Sequence, residues 1–588
     1  MIRSSIVSPS RKENPNLTNS GKDSSLLNFV QFAVKKNIKF SQVRPDVRDD
    51  TRGVYATYPI RSLDTLIVVP RSSALLLTPS ERSPLGTLSE SVWQQLPWPY
   101  KLSIKLAQEA ARSSASSMHE FINVLPPEAI DLPLLWSAED VSALQYPYLQ
   151  NKVLSEQNQM QDALKNCSHA LLEARITTDV LLWALTMIKS RSFEGPHFQT
   201  TFQVKLAFFS ALQSLLAAAY ATHRIAPLSQ LSIPASLIDP TWPLVLAEAV
   251  VLILPLVWGI LDLKRAKSVA EYVVCPFIDF LNHSSQSQAE CQYDWFKDSY
   301  CVVSDRPYQP GQQVYINYGS QSNDQLLLSY GFVEEGNLND RYILTRLQQW
   351  LLVGPLAAAW GDHEALKKEL LKHEEVLSEV VVHASGIIPP NVKSVLEAVL
   401  HVGKSFQGTI TVDSILIDAC ERELATFLTT LLEDENSMTE LTSEILAFEA
   451  QLRPQQSEVV DCQQSESMSS LTKSQEFDDG QELGKDSPQL DDSYLEDVGV
   501  GDMGEDVGVT VPGLGDQCQV SQVGVDAQML LHSPPSHLMM SEEEKSLKLK
   551  HMYRMKTLHM FRIEKKRLLH KFILKHRSKT QFPEMVKN

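Results

Sequence analysis

No two cysteines of this chain stand at C-x-x-C spacing. The seven present, Cys167, Cys275, Cys291, Cys301, Cys420, Cys462 and Cys518, are scattered and odd in number. That pattern excludes a zinc ribbon and a disulfide framework, and predicts free thiols in a reducing compartment. Excess positive charge is missing too. The formal net charge is -18 over 588 residues, and residues 454–540 alone hold 17 carboxylates against two lysines. What remains is close to neutral, without the basic face that binding nucleic acid requires, so no nucleic-acid partner is expected. The first 25 residues are rich in Ser, Asn, Lys and Arg and lack the apolar stretch of a secretory signal. A disordered terminus and a cytoplasmic or nuclear address are expected, with a short plastid transit peptide, hence the chloroplast, as the alternative.

A hydrophobic fraction of 43% is ample for sizeable cores, and the length suggests two or three domains. The most informative stretch runs from Cys275 to Phe332. It opens with a short apolar run, Pro276 to Leu281, closed by Asn282, His283, Ser284 and Ser285. After a Pro310-Gly311 turn signal, Val314 to Tyr318 reads as a strand rich in β-branched and aromatic residues. Asn323 to Tyr330 reads as one or two helical turns ended by Gly331. Upstream, Leu26 to Lys36 predicts a helix, Asp49 to Gly53 a polar turn, and Val54–Thr57 and Thr65–Pro70 two strands. Residues 75–264 are mainly helical by pattern. Ser137 is an N-cap with Asp140 three residues on, and Thr178 to Ile188 is a buried helix.

D-x-x-N-H at Asp279–His283, Y-x-x-Y-G-x-x-S-N at Tyr315–Asn323 and Y-G-F at Tyr330–Phe332, in this order and spacing, resemble the carboxyl half of a SET domain. The longer pattern is similar to the branch typified by the Rubisco large-subunit lysine methyltransferases. The resemblance implies an α+β fold of small β-sheets with a knot-like crossing and a large helical insert, followed by an all-helical C-terminal domain that binds the protein substrate. The boundaries expected are 1–25 for the disordered terminus and 26–345 for the SET domain, with its insert at about 76–265. Residues 346–453 plus 541–579 would form the helical domain, and 454–540 a disordered acidic insertion. The activity implied is S-adenosylmethionine (AdoMet)-dependent methylation of lysine on a non-histone protein, by a monomer, with no metal and no membrane. The Cys-rich zinc site that follows many histone-directed SET domains is absent after Phe332. Protein-histidine methylation, a catalytically inactive SET-type scaffold and a membrane-tethered protein stay open as alternatives.

Carried onto this sequence, the resemblance makes Tyr318 the catalytic residue, its hydroxyl holding methyl and acceptor in line. Arg52, Gly53 and Val54 fall in the loop and first strand that approach AdoMet. Arg191 and Phe193 fall in S-R-x-F, near the AdoMet carboxylate and in the acceptor pocket. Asn282 and His283 would bind AdoMet, Phe332 would close on it, and Asp279 and Tyr330 would touch the acceptor. Each has a plainer alternative: a hairpin glycine, a surface arginine, a helix C-terminal cation, a satisfied buried carboxylate, a core aromatic. Tyr315 is expected in the core. His283 has no second His or carboxylate at ligand spacing, which argues against metal. Residues 202–263 depart from the family pattern: Trp242 to Leu263 is a long apolar run broken by Glu248 and Pro255, read as buried insert helices rather than a membrane span. The basic stretch Lys545 to Lys579 is expected to pack back on the helical domain, with binding of an acidic partner or nucleic acid as its other use.

Overall fold

The computed structural model describes residues 19–48, 51–196, 209–215, 261, 270–294, 296–402, 410–452 and 540–581. Expectations for 1–18, for nearly all of 202–263 and for 454–539 lie outside those residues. Two compact units are distinguished, 1–445 with 548–588, and 446–547. In the second, Ser541 and Glu544 bond each other's backbone N–H, a capping box that opens the last helix.

The first unit has the expected α+β character, with small sheets around a helical insert and a helical C-terminal region. One sheet runs in the order β1 (Lys39–Phe40), β4 (Thr65–Pro70), β10 (Ser299–Val303), β9 (Cys291–Asp294). A second runs β2 (Val43–Arg48), β3 (Thr51–Ala56), β11 (Gln313–Ile316), β8 (Asn282–His283). A third runs β5 (Leu75–Leu77), β7 (Ala270–Val274), β6 (Phe193–Pro196), and β12 (Arg341–Leu344) pairs with β13 (Val380–His383). β4 illustrates the cause: its β-branched Ile67 and Val69 alternate onto one buried face.

The second sheet positions the site. β11 pairs antiparallel with β3, Val314 opposite Val54, and parallel with β8, Tyr315 opposite Asn282 and Ile316 opposite His283. Three segments far apart in sequence therefore meet at one sheet edge. Helices Trp98–Ala111, Pro147–Glu173 and Thr178–Arg191 lie in sequence between β5 and β6. The first and third pack with the sheets on a core containing Phe29, Ile67, Phe121, Ile188, Val273 and Phe277. Tyr342, Leu347, Leu396, Phe561 and Leu569 belong to a second core, built by the C-terminal helices.

Some local expectations differ from the structure. Thr51 to Gly53 is strand, not turn, and pairs with Val43–Arg48, a strand whose Pro45 and charges hid it. The first helix starts at Asn19 rather than Leu26; once nucleated by its apolar face, a helix extends into polar residues at little cost. Several cations of the helix Glu542–Gln581 turn inward. Arg562 and Lys566 bond the fully buried Asp434, and Arg554 bridges Asp131 and Asp140. Their basic charge is therefore spent inside the unit.

Asn323–Tyr330 is the short helix expected, opened by a capping box at Ser322 and closed by Gly331 in the left-handed region at φ 78°. A Cβ there would also lie 3.0 Å from the Asp131 carbonyl oxygen. Gly331→Ala is expected to cost about 1–2 kcal/mol, seen as a lower urea midpoint with unchanged slope.

Candidate functional site

The helix Thr178–Arg191 ends at Arg191, and Phe193 opens β6 two residues later. That exit delivers the Arg191 guanidinium to the 275–283 segment, where Nη1 donates to the Asp279 carbonyl oxygen at 3.1 Å and lies 3.9 Å from a carboxylate oxygen of the same residue. Asp279 is aimed by a strained turn. Phe277 sits at φ 82° with its ring fully buried, and stacks on Phe40 at 4.7 Å between centroids. Neither Asp279 carboxylate oxygen has a side-chain hydrogen-bond partner, and the buried Arg191 Nε donates to none. Burial pushes the Asp279 carboxyl up to about 6, against the pull of the Arg191 and Arg52 charges. The Arg52 guanidinium is lowered by the same desolvation and by Arg191 beside it.

Tyr318 follows β11, and its hydroxyl donates to the Leu281 carbonyl oxygen at 2.7 Å. Its backbone N–H donates to His283 Nδ1 at 3.1 Å. A backbone N–H is an obligatory donor, so Nδ1 must be bare and the proton of a neutral imidazole sits on Nε2, which lies 3.4 Å from a Glu334 carboxylate oxygen. Burial lowers the His283 imidazole below its ordinary value, with Glu334 opposing. Nδ1 is committed to the Tyr318 N–H and Nε2 faces the Glu334 carboxylate, which makes His283 a positioning group rather than a base. Burial also raises the Tyr318 phenol and pushes Tyr330 up to about 12, so both rings stay neutral at physiological pH. Tyr318 packs 4.7 Å from Tyr330 between ring centroids.

Two cavities meet here. One, of about 430 Å³, is lined by Arg52, Pro126, Arg191, Asp279 and Asn282 among others. The other, of about 450 Å³, is lined by Trp98, Phe193, Asp279, Tyr318, Tyr330 and the rim carboxylate Glu290 among others. Arg191 and Asp279 line both and form the partition between them. The first offers a guanidinium and amides, suited to a ligand bearing a carboxylate. The second joins neutral aromatic walls to a buried carboxylate, suited to an aliphatic amine or its cation.

Arg52, Arg191, Asn282, Phe193, Asp279, Tyr318 and Tyr330 are thus brought together, and Gly53, Val54, His283 and Phe332 line neither cavity. Val54 is fully buried in the core. Gly53 packs against the sheet rather than a cavity: a Cβ there would lie 2.3 Å from the Gln313 amide, so that flexible side chain would have to move. Phe332 stands 6.0 Å from the His283 ring, behind it. Arg52 does not aim freely at a ligand; it donates to the Val124 carbonyl oxygen, while its own carbonyl accepts from Asn282 Nδ2 at 2.8 Å. Tyr315 is half-buried and not core, its hydroxyl held by Gln313. Trp98, Glu290 and Glu334 were not singled out in the sequence: Glu334 follows Y-G-F-V directly, but a lone loop glutamate carries no spacing signal. Among the described residues no group of three or more His, Cys, Asp or Glu side chains gathers as a metal site.

Residues 51–319 match the family model for the SET domain. The human SET domain-containing protein 4 is 33% identical over 64 residues, which is 11% of this chain and 14% of that protein. Structures of Rubisco LSMT resemble this one at a TM-score of 0.42 and 17% identity, over 70% of this chain and 84% of theirs; one is its SET domain bound to lysine and AdoHcy, another the enzyme bound to AdoMet.

The raised Asp279 carboxyl has a stability consequence. Between the ordinary 3.8 and about 6 the folded protein holds a proton that the unfolded chain releases, so stability falls as pH rises through that window. Asp279→Asn should therefore stabilise the protein by up to about 3 kcal/mol above pH 6 and be neutral near pH 4. Urea unfolding at both pH values checks this; a destabilised variant at pH 7.5 would show that the two arginines need the charge.

Proposed function

We propose that this chain, in which residues 51–319 form a SET domain, is an AdoMet-dependent protein-lysine N-methyltransferase acting on a non-histone protein. The observation that carries the reading is the shared partition: the Arg52–Asn282 cavity and the Tyr318–Tyr330 cavity meet at Arg191 and Asp279. A donor in one and an acceptor in the other would face each other across a short gap, as an in-line transfer requires. AdoMet, when bound, supplies a methyl group activated by a sulfonium charge.

The residues fit that group. The unpartnered, buried Arg191 Nε suits the ligand's carboxylate, and the Asn282 side chain lines the same cavity. On the other side the Tyr318 hydroxyl, bonded to the Leu281 carbonyl oxygen, belongs to the lining of the second cavity, where it would orient the transferring methyl and the acceptor nitrogen. Phe193, Trp98 and Tyr330 exclude water along the acceptor path. The acceptor lysine must lose its proton before it attacks. At pH 7.5 that costs about 4 kcal/mol for a free side chain. Desolvation between aromatic walls lowers the cost by disfavouring the ammonium.

A labelled-AdoMet incubation with a matching extract that lacks this protein should label one or a few proteins on lysine; label on histidine would reassign the acceptor. Calorimetry decides against a non-catalytic scaffold that has lost the ligand: no AdoMet binding would remove the whole class. Tyr318→Phe should lower turnover on the order of 10²-fold with AdoMet affinity little changed. Equal losses in both would deny Tyr318 its role.

A further inference from the structure

A polar chain runs from the last helix to the back of the site, and the chemistry above does not use it. Lys565 is fully buried. Its ammonium donates to Asp340 Oδ1 and to the Arg341 carbonyl oxygen, both at 2.7 Å, and lies 3.1 Å from Asp324 Oδ1. Asp340 Oδ1 also accepts the Asn323 backbone N–H at 2.9 Å. The Asn323 side-chain amide exchanges two hydrogen bonds, each of 3.1 Å, with the Glu334 backbone. The Glu334 carboxylate then meets the Asn-His segment at two points, one of them a hydrogen bond. One oxygen accepts from Ser285 N at 2.9 Å, and the other lies 3.4 Å from His283 Nε2. His283 holds the Tyr318 backbone. Two further contacts tie the same loop to the same helix: Gly336 N donates to Glu564 at 2.9 Å, and Arg567 reaches Glu335 at 3.1 Å.

We propose that the helix Glu542–Gln581 sets the geometry of the Tyr318 site from behind, with Lys565 and Glu564 as positioning residues that hold loop 333–340. Glu334 on that loop then holds His283 and Ser285 against Tyr318. The arrangement is specific in a way that packing alone is not. A lysine buried between two aspartates is seldom the most stable filling of such a space, because apolar residues of equal volume do as well or better. What the ions add is a fixed register between the helix and the loop. Asn323 shares both its neighbours with that register, being bonded to Asp340 on one side and to Glu334 on the other. A shift of the helix therefore moves Glu334, and through Glu334 the imidazole. The kinetic part of the proposal rests on the methyltransferase reading; the geometric part does not.

Glu564→Ala and Lys565→Met in the full chain test it. Thermal unfolding first shows which variants fold; Glu564→Ala removes one loop contact without stranding a buried charge, and keeps the test open if Lys565→Met does not fold. Long-range proton–nitrogen spectra of histidine-labelled protein then report the His283 tautomer, assigned with a His283→Asn control. The expected result is a wild-type His283 protonated on Nε2, and displaced or mixed-tautomer signals in the folded variants. Turnover in the labelled-AdoMet assay should fall about tenfold or more, with AdoMet affinity held within about twofold. A folded Glu564→Ala protein with wild-type His283 signals overturns the proposal, as does a loss of AdoMet affinity that matches the loss of turnover. Shifted His283 signals in a protein that shows no methyl transfer at all, wild type included, would support the positioning and remove the methyltransferase reading instead.

Discussion

The parallel pairing of Asn282–His283 with Tyr315–Ile316 is the constraint on which the site depends. Two residues of parallel ladder are too few to hold by themselves, since isolated short pairings are marginal in water. The pairing survives because other groups lock it. Ser284 N donates to Ile316 O, Tyr318 N to the imidazole, and the Tyr318 hydroxyl back to Leu281. Asn317 and Ser287 add two more bonds between the same segments. Beneath them Phe277, Phe280, Leu281 and Ile316 are buried in one core. The tyrosine is thus fixed at its backbone and at its phenol by the same short segment, 281–283.

The same locking makes the site expensive. The Asp279 carboxylate is buried without a side-chain hydrogen bond and beside two arginines, one of which has an unpartnered Nε. Phe277 holds a backbone conformation that side chains avoid. Folding tolerates these costs because the surrounding sheets and cores over-determine the segment, a common arrangement where ligands bind. Polar groups left open in a buried partition between two cavities are groups that a ligand on either side can satisfy.

What was legible in the sequence was local. Asn323–Tyr330 with its Gly331 stop, the Ser137 cap and strand Thr65–Pro70 each rest on neighbours within a few positions, and each is present. The site residues that share the two cavities could be found because motif order fixes which segments must meet. Gly53 and Val54 show the limit: a motif names a position, but whether its side chain faces a ligand or the core depends on the pleat, and here the pleat turns Val54 inward. Strand Val43–Arg48 was hidden because its pattern is broken by Pro45 and charged residues, and its partner strand supplies what propensity does not.

The last helix is the harder case. Its sequence reads as a basic helix that packs back through its apolar side, yet the cations Arg562, Lys565 and Lys566 are buried as well. No periodicity predicts this, because burial of a cation is decided by where its carboxylates are, and Asp324, Asp340 and Asp434 lie more than a hundred residues away in sequence. The converse inference is available only from the structure. A lysine taken out of water needs its partners in place, and breaking such a set leaves an uncompensated charge. Asp324 and Asp340 flank the Y-G-F motif on either side. The ion set that seats the helix is therefore also the set that brackets the tyrosine segment, and the two arrangements share Asp324 and Asp340.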